Sequence, residues 1–70
     1  MRLYELVEEI CHHEFIGHYI SYGIRSAEGS VISDISTEKD AVSELVKRMN
    51  EGELEEIHFQ DAVDDFLLEY

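Results

Sequence analysis

The chain has 70 residues, of which 17 are Asp or Glu and five are Lys or Arg, so its formal net charge is −12. Nucleic-acid binding depends on Lys and Arg at phosphates, and anionic membranes attract cations, so we expect neither a nucleic acid nor a membrane as partner. A basic protein remains compatible with this charge, which would accelerate their encounter.

Length and composition predict one small domain that spans residues 1–70. A domain of this size buries only about 60% of the surface of its unfolded chain, so its stability is marginal. Cys11 is the only cysteine in the sequence, which excludes a disulfide within the chain. Because the sequence shows no signal peptide and no long apolar run, we expect a cytoplasmic protein.

The first segment, residues 2–12, is compatible with both a strand and a helix. Tyr4, Leu6 and Ile10 would share one face of a strand, but Leu6, Val7 and Ile10 also match the spacing of a helical face. We favour the strand, because the next segment is strongly strand-like and would supply a hairpin partner.

The segment from Glu14 to Arg25 is the clearest strand in the sequence. Its β-branched and aromatic residues alternate with a period of two, and Gly17 and Gly23 argue against a helix. We expect its even-numbered residues to face the core. These residues are Ile16, His18, Ile20, Tyr22 and Ile24.

A turn and a short third strand follow. Residues 26–30 are typical of a turn, in which Gly29 would take a positive φ. Residues 31–35, Val-Ile-Ser-Asp-Ile, then predict a strand antiparallel to the second one.

The first predicted helix follows Ser36 and Thr37, which are both candidate N-caps. Thr37 with Asp40 fits a loose form of the capping box, and Gly52 is a candidate for the residue that ends the helix. The apolar stripe of this helix is Ala41, Val42, Leu45, Val46 and Met49.

The second predicted helix has the most regular apolar stripe. Leu54 and Ile57 are out of phase with it, so we expect a break near Ile57 or His58, with residues 53–57 forming a separate turn or extended piece. The stripe consists of Phe59, Ala62, Val63, Phe66, Leu67 and Tyr70.

These elements predict an α+β fold of the order βββαα. A three-stranded antiparallel β-meander presents one apolar face, and the two α-helices pack on that face. The opposite, outer face of the sheet would remain open.

Four short motifs lie between Tyr22 and Leu67. They are Tyr22-Gly23-Ile24, Asp34-Ile35-Ser36, His58-Phe59-Gln60-Asp61 and Val63-Asp64-Asp65-Phe66-Leu67. In these motifs the chain resembles a family of short, uncharacterised proteins from Gram-positive anaerobic bacteria. The resemblance implies a bacterial cytoplasmic protein and supplies no activity, cofactor or catalytic residue. The segment Cys11-His12-His13-Glu14 lies outside the pattern.

The only cluster with metal-ligand chemistry contains Cys11, His12, His13 and His18. Zinc takes thiolate and imidazole ligands in tetrahedral sites. On a strand, Cys11 and His13 share one face and His12 points away, and His18 would lie across from His12 or Cys11 but not beside both. Two or three ligands would converge, fewer than a closed site requires, so we expect no cofactor. Cys11, His13 and His18 remain candidates for an alternative zinc-binding function.

We expect no catalysis. A nucleophilic Cys11 would need a thiolate, an orienting base and an oxyanion hole in a cleft. The surrounding acids raise the pKa of a thiol rather than lower it, and 70 residues leave little room for a substrate pocket.

Two surfaces are candidates for binding another protein. The outer face of the sheet would carry Phe15 and Tyr19, with Leu3 and Val7 as neighbours, and exposed apolar patches mark interaction sites. The second helix would supply an acidic surface for a basic protein, either as a docking face or as a mimic of DNA phosphates. Its candidate residues are Asp61, Asp64 and Asp65.

The sequence therefore predicts a small, acidic, non-catalytic protein-interaction or regulatory module. A homodimer is its simplest form. The alternatives are a zinc-binding protein and an acidic nucleic-acid mimic that binds a basic protein.

Overall fold

A computed structural model describes residues 3–69 and confirms the α+β prediction: within these residues, three antiparallel strands form one sheet and two α-helices follow. The preference for a strand at the start of the chain is confirmed from Tyr4 onwards, and Arg2, where the predicted segment begins, lies outside the described residues. The elements are β1 (Tyr4–His13), β2 (Gly17–Ser26), β3 (Val31–Ser36), α1 (Lys39–Glu51), a 3₁₀ turn (Glu56–His58) and α2 (Phe59–Glu69). The predicted break before α2 is present. Tyr70, the last residue of the predicted stripe, lies outside the described residues.

The hairpin of β1 and β2 has a continuous register from Tyr4 opposite Ser26 to His13 opposite Gly17. Even-numbered residues of both strands therefore share one face, and odd-numbered residues share the other. The helices pack on the even-numbered face at the end of the hairpin that holds Tyr4 and Ile24, which are 2% and 0% exposed.

The prediction that all even-numbered residues of β2 face the core is only partly right. Ile24 is fully buried and Tyr22 is half-buried, but His18 and Ile20 are exposed and Ile16 lies in the turn. The reason is length. Strands of 10 residues span about 33 Å, whereas the 13 residues of α1 span about 20 Å, so the hairpin extends beyond the helices.

The core forms where the end of the sheet that holds Tyr4 and Ile24 packs against both helices. The buried residues are Tyr4, Ile24, Ile35, Val42, Leu45, Met49, Phe59 and Val63. The Tyr4 ring packs against the Phe59 ring with centroids 5.1 Å apart, and its hydroxyl donates to the Leu54 carbonyl at 2.7 Å. Burial, followed by the charges of Glu56 and Glu28, raises the pKa of Tyr4. Tyr4 therefore stays a protonated donor.

A bulge in β3 allows the third strand to contribute to this core. Ile24 pairs with Ile32 and Tyr22 pairs with Ser36, so residues 33–35 lie opposite Gly23. Regular alternation from Ile32 would turn residue 35 away from the core. The bulge instead places both Ile32 and Ile35 in contact with it.

Gly23 makes the bulge possible. A Cβ at this position would lie 3.1 Å from the Cα of Ser33 and closer still to the carbonyl oxygen of Ile32, so the backbones could not approach as they do.

We expect Gly23→Ala to lower the free energy of unfolding by about 1–3 kcal/mol, because the added methyl group forces the strands apart. Urea denaturation measures the change.

Gly52→Ala is the matched control for this substitution. Gly52 has a φ of −84°, which alanine adopts readily, and its added Cβ would lie 3.3 Å from the carbonyl oxygen of Arg48. We expect the control to change stability by about 0.5 kcal/mol or less. Equal losses in the two variants would contradict the role assigned to Gly23.

The predicted N-cap of α1 is wrong. The helix begins at Lys39, and the Glu38 side chain makes no capping hydrogen bond within residues 3–69. Ser36 stays paired with Tyr22 in β3, and its hydroxyl accepts the N–H of Glu38 at 3.1 Å, a local turn rather than a helix cap. The predicted capping box of Thr37 and Asp40 therefore starts too early.

The C-terminus of α1 closes with a Schellman motif whose left-handed residue is Glu53, not Gly52. Glu53 has a φ of 49° and donates to the Asn50 carbonyl at 3.1 Å, while Leu54 donates to the Met49 carbonyl at 3.0 Å. Gly52 is in a right-handed conformation and completes the helix. A glutamate thus occupies the position that glycine usually takes.

We expect Glu53→Gly to raise the free energy of unfolding by about 0.5–1 kcal/mol, because glycine adopts a left-handed φ without steric cost. Glu55→Gly removes the same charge from an extended residue with a φ of −71° and should lower stability by about 0.5 kcal/mol. Thermal and urea unfolding compare the two variants. A gain of equal size in both would show that loss of charge, not backbone conformation, is responsible.

In the described part of the chain, neither α-helix is long and apolar enough to cross a membrane.

Candidate protein-binding surface

The far end of the β1–β2 hairpin is apolar and exposed. Ile10 lies directly opposite Ile20 on the even-numbered face, and these side chains are 76% and 49% exposed. In the turn that joins the strands, Phe15 and Ile16 are 86% and 72% exposed. We call these four residues the apolar hairpin end.

Histidines and acids surround the apolar hairpin end. His12 lies opposite His18 on the same face, with ring centroids 5.0 Å apart. Glu8 lies on this face towards the core, and Glu14 lies in the turn. A partner that covers the isoleucines would therefore meet carboxylates at the border of the patch.

The structure separates Phe15 and Tyr19, the two interaction residues predicted for the outer face, and their role in binding stays a prediction. Phe15 lies in the turn, where its N–H donates to Nδ1 of His13 at 3.2 Å. Tyr19 is half-buried on the outer face, and its hydroxyl donates to Oδ2 of Asp34 at 3.2 Å. Of the predicted neighbours, Val7 lies opposite Gly23, and Leu3 packs partly against the core.

Asp34 joins the bulge of β3 to the outer face of the hairpin. Its Oδ1 accepts the hydroxyl of Ser21 at 2.5 Å, and its backbone N–H donates to Oε1 of Glu9 at 2.7 Å. Asp34 itself has a φ of 51°, which lets the chain bend across the sheet. The bulge buries Ser21 completely, so this face is polar and partly covered.

Cys11 lies opposite Tyr19 on the same outer face. Burial raises the pKa of the Cys11 thiol, as do the charges of Asp34 and Glu9, while a hydrogen bond with Tyr19 opposes them in part. The pKa of Tyr19 is also raised, first by burial and then by its hydrogen bond with Asp34 and the charge of that residue. The predicted direction for the thiol is confirmed, and it disfavours a reactive thiolate.

We expect the alkylation rate of Cys11 by iodoacetamide to reach half its maximum at a higher pH than that of a free cysteine peptide, because a raised thiol pKa delays thiolate formation. Asp34→Asn should move this midpoint to lower pH, since it removes a neighbouring negative charge. Asp64→Asn, on α2, is the matched control and should leave the midpoint unchanged. Equal midpoints in all three proteins would contradict this electrostatic account.

The structure does not bring the candidate zinc ligands together. Cys11 and His13 share the outer face as predicted, but His18 lies on the other face opposite His12. Within residues 3–69, no three His, Cys, Asp or Glu side chains are placed so that they could hold a metal ion.

The candidate acids of α2 are exposed. Asp61, Asp64 and Asp65 are spaced at i, i+3 and i+4, so their side chains are neighbours on the helix surface. Gln60 donates from Nε2 to Oδ1 of Asp64 at 3.0 Å. Their role in docking stays a prediction.

Asn50 contacts the edge of β1 that is not paired with β2, and the sequence did not predict this contact. Its Oδ1 accepts the N–H groups of Leu3 and Tyr4 at 2.9 and 2.8 Å, and its Nδ2 donates to the Tyr4 carbonyl at 2.9 Å. A groove of about 590 Å³ runs beside this contact, between Leu6 of β1 and Val46 of α1.

A model of one protein family matches residues 2–69 and thus nearly the whole chain. The chain belongs to the DUF6514 family of unknown function. The match contains all four motifs on which the resemblance rested. A search of curated proteins found no match, and neither did a search of solved structures. The description of the DUF6514 family assigns no activity.

Proposed function

We propose that the protein is a non-catalytic interaction module of the bacterial cytoplasm that binds a basic protein through the apolar hairpin end. The observation that supports this proposal is the exposure of Ile10 opposite Ile20, on the sheet face that elsewhere carries the core. Exposed apolar side chains that lie side by side, as Ile10 and Ile20 do, mark interaction sites.

Burial of the apolar hairpin end favours association. Fully burying an exposed Ile or Phe side chain contributes about 1.5–3 kcal/mol, and because Ile20 is already half-buried and the other three are partly buried, the four residues together supply at most about 4–8 kcal/mol. Association costs about 4–15 kcal/mol in lost translational and rotational freedom. Burial of the patch therefore offsets a large part of this cost, and further contacts with the partner are needed for a stable complex.

Charge favours a basic partner over a second copy of this chain. A homodimer would join two molecules with a formal charge of −12 each. If the apolar hairpin ends packed on each other, Glu8 and Glu14 would approach the same residues of the second copy. A basic partner converts this repulsion into attraction, and salt should weaken its binding.

The test compares two double variants. Ile10→Ser with Ile20→Ser removes the exposed pair from the hairpin, whereas Leu67→Ser with Leu68→Ser removes exposed apolar residues of similar size from α2. A partner is first identified by cross-linking of the wild-type chain in extracts of the source organism, and its affinity for each variant is then measured with purified proteins. We expect the hairpin variant to bind at least tenfold more weakly and the α2 variant to bind like the wild type.

Other outcomes would overturn this proposal. If the concentrated wild-type chain sediments as a dimer that the hairpin variant abolishes, the predicted homodimer is correct. If binding instead depends on Asp61, Asp64 and Asp65 and survives the hairpin substitutions, the acidic mimic is the better account. Metal that co-purifies and is required for stability would revive the zinc alternative.

A further inference from the structure

The outer edge of β1 indicates how the partner is held. We propose that an extended segment of the basic partner adds to β1 as a fourth strand, beginning beside Leu6 and running to His12. This inference rests on the proposed function and names the mode of recognition. β-Strand addition to an exposed edge is a general mode of peptide binding, in which backbone hydrogen bonds provide affinity and alternate side chains provide specificity.

The register shows which backbone groups of β1 are directed to the edge. In the described chain the strand order is β1-β2-β3, so β1 lies at an edge. The N–H of Ala27 donates to the carbonyl of Leu3 at 2.7 Å, and the register continues from this pair without interruption. Because antiparallel pairs alternate, odd-numbered residues of β1 bond to β2 and even-numbered ones point outwards. The outward residues beyond Tyr4 are Leu6, Glu8, Ile10 and His12.

Asn50 marks where this open edge begins. Its side-chain amide accepts the Tyr4 N–H and donates to the Tyr4 carbonyl, as the backbone of a neighbouring strand residue would. The position beside Tyr4 is therefore occupied. An added strand finds its first open N–H and carbonyl at Leu6.

The groove beside the edge favours apolar side chains on one face of the added strand. Leu6 and Val46 line it from β1 and α1. Further along β1, Ile10 is exposed on the same face. Side chains of the added strand that point towards the helices would therefore bury apolar surface beside Leu6 and again beside Ile10.

The other face of the added strand would meet acids. Glu5 and Glu9 lie on the odd-numbered face of β1, where Glu5 pairs with Arg25 at 2.9 Å and Glu9 accepts the N–H of Asp34. On the even-numbered face, Glu8 adds a third carboxylate between Leu6 and Ile10, and Lys47 supplies a cation in the groove. The balance is acidic. A segment that alternates apolar residues with Lys or Arg matches both faces, because opposite charges on neighbouring strands are stabilising.

A second copy of this chain fits the edge less well. Pairing of two β1 strands would bring Glu5, Glu8 and Glu9 together with the same acids of the other copy, and like charges across a sheet are destabilising. β3, at the other edge, is unsuitable because it has six residues and bends at Asp34.

The test uses a synthetic ten-residue peptide of alternating Val and Lys and the isotopically labelled wild-type chain. NMR measures amide hydrogen exchange with and without the peptide. We expect the amides of Leu6, Glu8, Ile10 and His12 to gain at least tenfold protection, whereas the odd-numbered amides of β1 are protected already. A peptide with Glu in place of Lys, and one methylated on the backbone nitrogens that would face β1, should give no protection.

Glu8→Pro provides a second measurement, because it removes one outward N–H from an edge strand. It should weaken peptide binding at least tenfold, and Glu8→Gln, which keeps the N–H, should weaken it much less. If Glu8→Pro does not fold, the methylated peptide still tests the same hydrogen bonds. Protection of these amides in the concentrated chain without peptide would show that a second copy occupies the edge and would overturn the inference.

The outcomes separate this inference from the proposed function. If the cross-linked partner requires Ile10 and Ile20 but leaves the outward amides of β1 unprotected, strand addition is wrong and the proposed function stands. If the Val-Lys peptide protects these amides while the partner binds the hairpin variant normally, the edge binds strands and the role of the apolar hairpin end is wrong.

Discussion

The fold depends on the contact between Asn50, at the end of α1, and the backbone of Tyr4, at the start of β1. These residues are 46 positions apart, and their hydrogen bonds hold the helix against an edge of the sheet. Tyr4 then extends the same connection, because its ring packs on Phe59 and its hydroxyl bonds to the Leu54 carbonyl. One end of the sheet thereby fixes α1, the following loop and α2.

This arrangement divides the hairpin into two halves with different roles. Near Tyr4 and Ile24, the even-numbered face is covered and supplies stability. Beyond the helices, the same apolar alternation continues through Ile10 and Ile20 and supplies the surface that we assign to a partner. A small domain has few apolar residues to spare, so their exposure at one end of a strand costs stability, and this cost is the basis of the binding role that we propose.

Periodicity was sufficient to predict β2 and the two helices, because both the period of two in β2 and the helical stripe of α2 are local properties. It left β1 compatible with a strand or a helix, and only the expected hairpin partner favoured the strand. Periodicity did not show that the hairpin extends beyond the helices, because this depends on how α1 packs on the sheet. For this reason Ile20 was predicted to be a core residue. The role of Asn50 was also hidden, since a polar residue before Gly52 is typical of any helix end. The direction of the shift in the Cys11 pKa agrees with the acidic composition, but its largest cause, burial, and the position of Asp34 beside the thiol both depend on the fold.

The bulge of β3 has a consequence for assembly. A sheet polymerises into a filament only when each molecule offers two edges that accept one another. In this chain the register of β1 is continuous, but β3 bends where Asp34 takes a left-handed conformation opposite Gly23. If β1 gains a strand as we propose, the bend in β3 prevents the addition from propagating at the other edge, which would keep this small protein from growing into fibres.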